Sequence, residues 1–114
     1  MEELLPPTFT KKPRIRQEDD GNKLIFECQL ISCPRPMIKW YKEEEKIKDD
    51  ERTEIKINEI GSNKYLISLT LDNVIETDAG VYKAKAKNNQ GEVSTSINLD
   101  FACKFKLLLL LYLI

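Results

Sequence analysis

The sequence predicts an all-β protein, a sandwich of two packed antiparallel sheets, and three observations carry that expectation. Apolar residues recur at every second position in short runs, and no stretch keeps a 3.6-residue period over helical length. Turn-forming residues fall between the runs at regular spacing. The chain has 114 residues, 41% hydrophobic and 32% charged, which supports one core under a solvated surface and one domain.

The first element is an edge piece near Thr8–Arg16, interrupted by Pro13, whose missing N–H suits a sheet edge rather than its centre. The turn Asp19-Asp20-Gly21-Asn22 leads into a longer strand. There Leu24, Phe26, Cys28 and Leu30 alternate with Ile25, Glu27 and Gln29, so one face is buried. Pro34-Arg35-Pro36 ends it. Ile38 and Trp40 then alternate with Lys39 and Tyr41, and Ile55 and Ile57 flank Lys56. After Gly61-Ser62-Asn63, a strand places Ile67, Leu69 and Leu71 on one side and Ser68 and Thr70 on the other. Tyr82, Ala84 and Ala86 alternate with Val81, Lys83, Lys85 and Lys87. Asn88-Asn89-Gln90-Gly91 turns the chain into a last strand with Val93, Ile97 and Leu99 facing in. Roughly seven or eight short strands in about 95 residues is the spacing of a sandwich or small barrel.

The charges argue against most chemistry. The 18 Lys+Arg and 19 Asp+Glu leave a net charge of −1, without the basic excess of a nucleic-acid binder. There is no histidine, which removes the commonest general base and the commonest metal ligand. Three cysteines without histidine cannot complete a four-ligand zinc site. The acidic segment around Glu43, Glu44, Glu45, Asp49, Asp50 and Glu51 lacks the spacing of a tight calcium loop. The expectation is a protein that is not an enzyme, with no catalytic residue, cofactor, metal or small-molecule substrate.

The start of the chain lacks the basic and apolar regions of a secretory signal, and no Asn-x-Ser/Thr acceptor occurs. The cysteine count is odd (Cys28, Cys33, Cys103), which does not suit a disulfide framework. All three points favour a reducing, intracellular setting. Residues 101–114 form a hydrophobic tail expected to lie outside the domain. Its uninterrupted apolar stretch, from Leu107 to Ile114, is far shorter than the ~20 residues of a spanning helix. It reads as the start of a truncated membrane segment, a packing segment, or a gene-model or splice-derived end, the last being preferred.

Three features select the kind of sandwich. Cys28 lies on one strand, Trp40 follows on the next, and Asp78-Ala79-Gly80-Val81-Tyr82 opens the penultimate strand. This resembles the immunoglobulin pattern of a strand cysteine, a core tryptophan and a tyrosine corner. The likeness extends through Pro7-Thr8-Phe9, Asp20-Gly21-Asn22-Lys23-Leu24-Ile25-Phe26-Glu27-Cys28 and Pro34-Arg35-Pro36-Met37-Ile38-Lys39-Trp40-Tyr41-Lys42. It continues through Leu69-Thr70-Leu71-Asp72-Asn73-Val74 and Ala84-Lys85-Ala86-Lys87-Asn88-Asn89-Gln90-Gly91-Glu92. Pro7 to Leu99 thus resembles an I-set immunoglobulin domain of the titin, twitchin and projectin family of giant muscle proteins, most like an invertebrate twitchin-type domain.

The resemblance implies an immunoglobulin-like Greek-key sandwich over residues 6–100, after a linker at residues 1–5 whose joint Pro6-Pro7 stiffens. It implies a structural core built on Cys28, Trp40, Leu71, Asp78, Gly80, Tyr82 and Ala84. Gly80 allows the tight turn, and Tyr82 returns its hydroxyl to the local backbone. The family's second cysteine should fall at Ala84, so the usual bridge cannot form. Cys28 then packs as a small hydrophobe against Trp40, and Cys33 is a loop thiol without an assigned role.

By alternation, Lys83, Lys85 and Lys87 share the solvent side with Lys39 on the neighbouring strand, a basic face that could dock a partner. The acidic segment lies elsewhere in this reading, making the domain electrically two-sided. The function implied is a non-catalytic structural and protein-binding module of an intracellular sarcomeric or cytoskeletal giant protein, cytoplasmic, at the myofibril. The partners implied are neighbouring immunoglobulin and fibronectin domains, myosin or actin, with no nucleic acid and no membrane contact for the domain itself. Mechanical resistance is expected from hydrogen bonds joining the terminal strands near Thr8–Arg16 and Val93–Leu99. The alternative is a cell-surface adhesion or receptor immunoglobulin domain with a truncated membrane segment.

Overall fold

The computed structural model describes residues 3–101; the hydrophobic tail beyond Phe101 lies outside the described residues. In chain order the strands are β1 (Leu5–Phe9), β2 (Arg14–Glu18), β3 (Lys23–Cys33), β4 (Met37–Lys42), β5 (Glu45–Lys46), β6 (Thr53–Gly61), β7 (Lys64–Asp72), β8 (Gly80–Asn88) and β9 (Gly91–Leu99). One sheet has the order β1-β3-β7-β6 with β2 also on β3, and the other is β5-β4-β8-β9. All pairings are antiparallel. The chain crosses between sheets after β3, β5 and β7, which gives the immunoglobulin-like Greek-key sandwich.

Alternation decides which side of each strand is buried. Leu24, Phe26, Cys28 and Leu30 of β3 and Tyr65, Ile67, Leu69 and Leu71 of β7 form one wall of the core. Trp40 of β4 and Tyr82, Ala84 and Ala86 of β8 form the other. Trp40 stands in register with Ala84, and that small side chain leaves room for the indole. Its exposure is 1%. Phe26 meets Trp40 edge-on at 6.5 Å between centroids and tilts against Tyr82 at 4.4 Å.

The edge piece near Thr8–Arg16 divides into β1 and β2 around residues 10–13. Pro6 and Pro7 lie within β1 and not ahead of the sandwich, on a sheet edge where a missing N–H is tolerated. The register with β3 shifts between Leu5 and Thr8, where those prolines sit. The hydrogen-bonded ladder expected between the terminal strands is not formed among the described residues. β2 pairs instead with β3, from Arg14 opposite Glu27 to Glu18 opposite Lys23, and β9 pairs with β8. The cause is local: Asp19–Gly21 turns the chain back on itself, Asn22 N donates to Asp19 O at 2.9 Å, and a short loop closes at little entropic cost. A side chain ties β1 to the end of β8 instead: Asn88 Nδ2 donates to Leu5 O at 2.7 Å.

Two further departures concern residues near the sheets. Cys33 is the buried last residue of β3 and not a loop thiol. It stands five positions from Cys28 along an extended strand, about 16 Å, well beyond disulfide reach. The strand β5 had no sequence signal. Its hairpin with β4 turns at Glu43 and Glu44, with φ of 49° and 71°, a conformation that ordinarily calls for Asn or Gly.

Candidate docking face and the corner beside it

Strand β8 begins in the corner that Asp78-Ala79-Gly80-Val81-Tyr82 predicted. Tyr82 donates its hydroxyl hydrogen to Asp78 O at 2.5 Å. The carboxylate of Asp78, a residue only 8% exposed, accepts from Ile75 N at 2.9 Å and from Arg52 Nη2 at 2.6 Å. Arg52 also donates to Asp72 O and Asn73 O, so one guanidinium spans the corner. Burial pushes the Tyr82 hydroxyl well above its ordinary pKa, and the Asp78 charge adds to this while Arg52 opposes it. Gly80 has φ of +146°, and a Cβ there would lie 2.5 Å from Glu43 Oε1. That same oxygen accepts from Val81 N at 2.7 Å, so the bare backbone at Gly80 lets Glu43 reach in and hold the start of β8.

Cys28 lies in the core as a free, buried thiol. Burial, aided by the neighbouring Glu27 charge, pushes it up to about 12. Glu27 itself is buried on the outer side of β3, beneath Arg14 Nη2 at 3.0 Å and Arg16 Nε at 3.1 Å. Asp50, on the loop before β6, is held below the ordinary carboxylate range chiefly by the Arg52 backbone N–H.

The outer face of the β5-β4-β8-β9 sheet carries the lysines that alternation placed there. Its residues form rows: Met37 opposite Lys87 and then Glu92, Lys39 opposite Lys85 and then Ser94, and Tyr41 opposite Lys83 and then Ser96. A groove of about 540 Å³ runs along this face. Lys39, Lys85 and Lys87 line it; Lys83 does not. Lys83 instead binds both carboxylate oxygens of Glu44 at 3.0 Å, and its side chain is only 21% exposed. Lys83 and Lys85 also sit over the Tyr41 ring, at 5.7 and 5.2 Å. Lys85 lies 3.9 Å from Glu92.

The simple two-sided division of charge therefore needs correction. The β4–β5 hairpin brings Glu44 onto the basic face, because its turn folds back over β8. Sequence reasoning also missed members of the groove. Met37, 69% exposed, has the same parity on β4 as Lys39 and Tyr41, a signal that was present but unused. Arg35 reaches the groove from the β3–β4 loop while its guanidinium lies 5.8 Å from the Tyr65 ring centroid. Among the described residues, no group of three or more Cys, Asp or Glu is placed to hold a metal ion, and no helix is long and apolar enough to cross a membrane.

Comparison with known proteins then decides the family. The immunoglobulin I-set domain matches residues 7–101. The chain belongs to the immunoglobulin I-set family. This I-set chain is 33% identical over 98 residues to titin of Drosophila melanogaster, covering 85% of the chain and a share of titin that rounds to 0%. It is 33% identical over 100 residues to the muscle M-line assembly protein unc-89 of Caenorhabditis elegans, covering 88% of the chain and 1% of that protein. The chain thus spans a very small part of the curated relatives it matches. Among solved structures, titin M4 matches with a TM-score of 0.75 at 22% identity, over 87% of this chain and 98% of that one. The twitchin kinase region from C. elegans matches with a TM-score of 0.69 at 27% identity, over 83% of this chain and 16% of that one. The I-set chain is therefore homologous to sarcomeric giant and associated proteins. The immunoglobulin fold is typically non-catalytic, and nothing in this site points to an enzymatic activity.

Proposed function

We propose that this I-set domain is a structural and protein-binding module of an intracellular giant protein of the sarcomere or cytoskeleton. The proposed domain is residues 6–100, with residues 1–5 as a linker that enters β1 at Leu5 and residues 101–114 outside it. It supplies length and mechanical resistance within a tandem array and presents the β4–β8 face for docking. Its partners are neighbouring immunoglobulin or fibronectin domains, and myosin or actin filaments.

The observation that carries this reading is a core closed without a covalent staple. Cys28 is buried as a thiol, and Ala84 stands where the family's second cysteine would fall. A reducing compartment cannot maintain a structural bridge, so a sandwich that never had one suits it. The homology to titin and unc-89 supports the same placement. Cosedimentation of the full chain, in reductant, with myosin and with actin filaments tests the docking role. Pelleting with one of them above the level of an unrelated soluble domain is the expected result. A chain that stays in the supernatant with both, or that folds only under oxidising conditions, contradicts the proposal.

A further inference from the structure

The outer face of β4 and β8 leaves charge unmatched in a way that describes a ligand. Lys39 and Lys85 stand directly opposite each other across the two strands. Like charges in that position repel. Lys87 follows on the same side of β8, and Arg35 closes the groove from the β3–β4 loop. Against these four cations the groove lining offers one carboxylate, Glu92, whose side chain is 46% exposed and 3.9 Å from Lys85. Lys39 and Lys87 make no ion pair among the described residues. In the middle of this cationic rim sits Met37, the most exposed large hydrophobic side chain of the described residues.

Taking the docking role as given, we infer that this groove receives an extended, acidic protein segment carrying one apolar side chain. Its carboxylates lie over Lys39, Lys85, Lys87 and Arg35, and its apolar residue covers Met37. From Met37 to Tyr41 the groove floor runs about 13 Å, the length of roughly four extended residues. Its volume of about 540 Å³ falls in the range of ~300–1,000 Å³ of ligand clefts. A nucleic-acid strand would answer the same charge, but it needs an open aromatic surface for its bases. The one aromatic ring lining the groove, Tyr41, is already under the Lys83 and Lys85 ammonium groups. The charge complementarity therefore favours protein.

The test uses fluorescence anisotropy on the full chain with a dye-labelled Glu-Glu-Leu-Glu-Glu peptide, its Gln-for-Glu counterpart, and an eight-nucleotide oligothymidylate. The acidic peptide binds saturably, more weakly as NaCl rises from 50 to 300 mM, and at least tenfold tighter than either other probe. The double variant Lys39→Glu with Lys87→Glu weakens it at least tenfold, and Met37→Ser at least threefold. Lys56→Glu, on the opposite sheet, leaves it unchanged. Lys39→Glu places a carboxylate opposite Lys85 while Lys87→Glu places one opposite Glu92, so the gain and the loss offset, the double variant melts within a few degrees of the parent, and the loss of binding is not unfolding. No saturation by the acidic peptide, equal binding of the Gln peptide, tighter binding of the oligonucleotide, or binding that survives the double variant overturns the groove proposal. Filament cosedimentation of the parent chain that persists in the double variant overturns the groove while the docking role stands. Failure of the parent to pellet overturns that role instead.

Discussion

Strand β8 begins and ends in opposite conditions. At its start, Asp78 accepts from Tyr82, Ile75 and Arg52, and Glu43 reaches the backbone through the gap at Gly80. Along its second half, Lys85 faces Lys39 across the sheet, and Lys87 stands beside an exposed methionine without an anion of its own. Trp40, opposite Ala84, sits midway. The contrast separates two uses of polar residues on one strand. A buried polar group must be matched within the fold, because leaving it unmatched costs about 1–3 kcal/mol. An exposed cation costs little when solvated and becomes useful when a partner brings the matching charge.

Substitutions along the strand sharpen this contrast. Trp40→Ala removes the side chain on which both halves rest and should destabilise the domain by about 3–5 kcal/mol. Chemical denaturation that shows less than about 1 kcal/mol would mean the indole is not the centre of the core. Tyr82→Phe leaves the ring in place but deletes the hydrogen donated to Asp78 O, and the expected loss is about 1–3 kcal/mol. An unchanged denaturation midpoint would show that the corner is held by packing alone.

A pH series examines the buried thiol between them. The folded pKa of Cys28 is raised to about 12, while an unfolded cysteine titrates near ~8.5. Its stabilising contribution is thus fully present below ~8.5 and lost as pH rises towards 12, by up to about 1.4 kcal/mol per pH unit. Cys28→Ala should flatten that part of the stability profile relative to the parent. An identical alkaline slope in both proteins would place the thiol in contact with solvent. The smallest effect belongs to the open half of the strand. Lys39→Glu converts a like-charge pair into an opposite-charge one and should raise stability by about 0.2–1 kcal/mol, decreasing with salt. A loss of stability there would show that Lys39 is matched within the fold after all.

The same contrast explains what the sequence revealed. Two-residue alternation is set by which side of a strand meets the core, so β3, β4, β7, β8 and β9 and the facing of Trp40, Tyr82 and Ala84 were legible. The Asp-x-Gly-x-Tyr corner was legible because its geometry depends on three residues close in sequence. Alternation does not say which strand lies beside which, and so the pairing of β2 with β3 went unread. The β4–β5 hairpin was hidden because Glu43 and Glu44 occupy positive-φ positions without a turn residue. That hairpin then decides which lysine is held closely, Lys83 at 3.0 Å from Glu44 against Lys85 at 3.9 Å from Glu92. Lys83 and Lys85 look alike in sequence, yet Glu44 reaches one and not the other. Arg52, Glu27 and Cys33 were missed for a related reason: a charged residue or a loop-adjacent cysteine gives no local sign of the partner it will meet or of the burial it will acquire in the fold.

The central claim is that this I-set core closes around Trp40 and the Tyr82 corner with no covalent help. Thermal unfolding of the full chain, followed by near-ultraviolet circular dichroism with and without reductant, addresses it most directly. The account predicts one cooperative transition at the same temperature in both conditions, with Cys28 inert to a thiol reagent until the transition. A melting temperature that drops when reductant is added would contradict it.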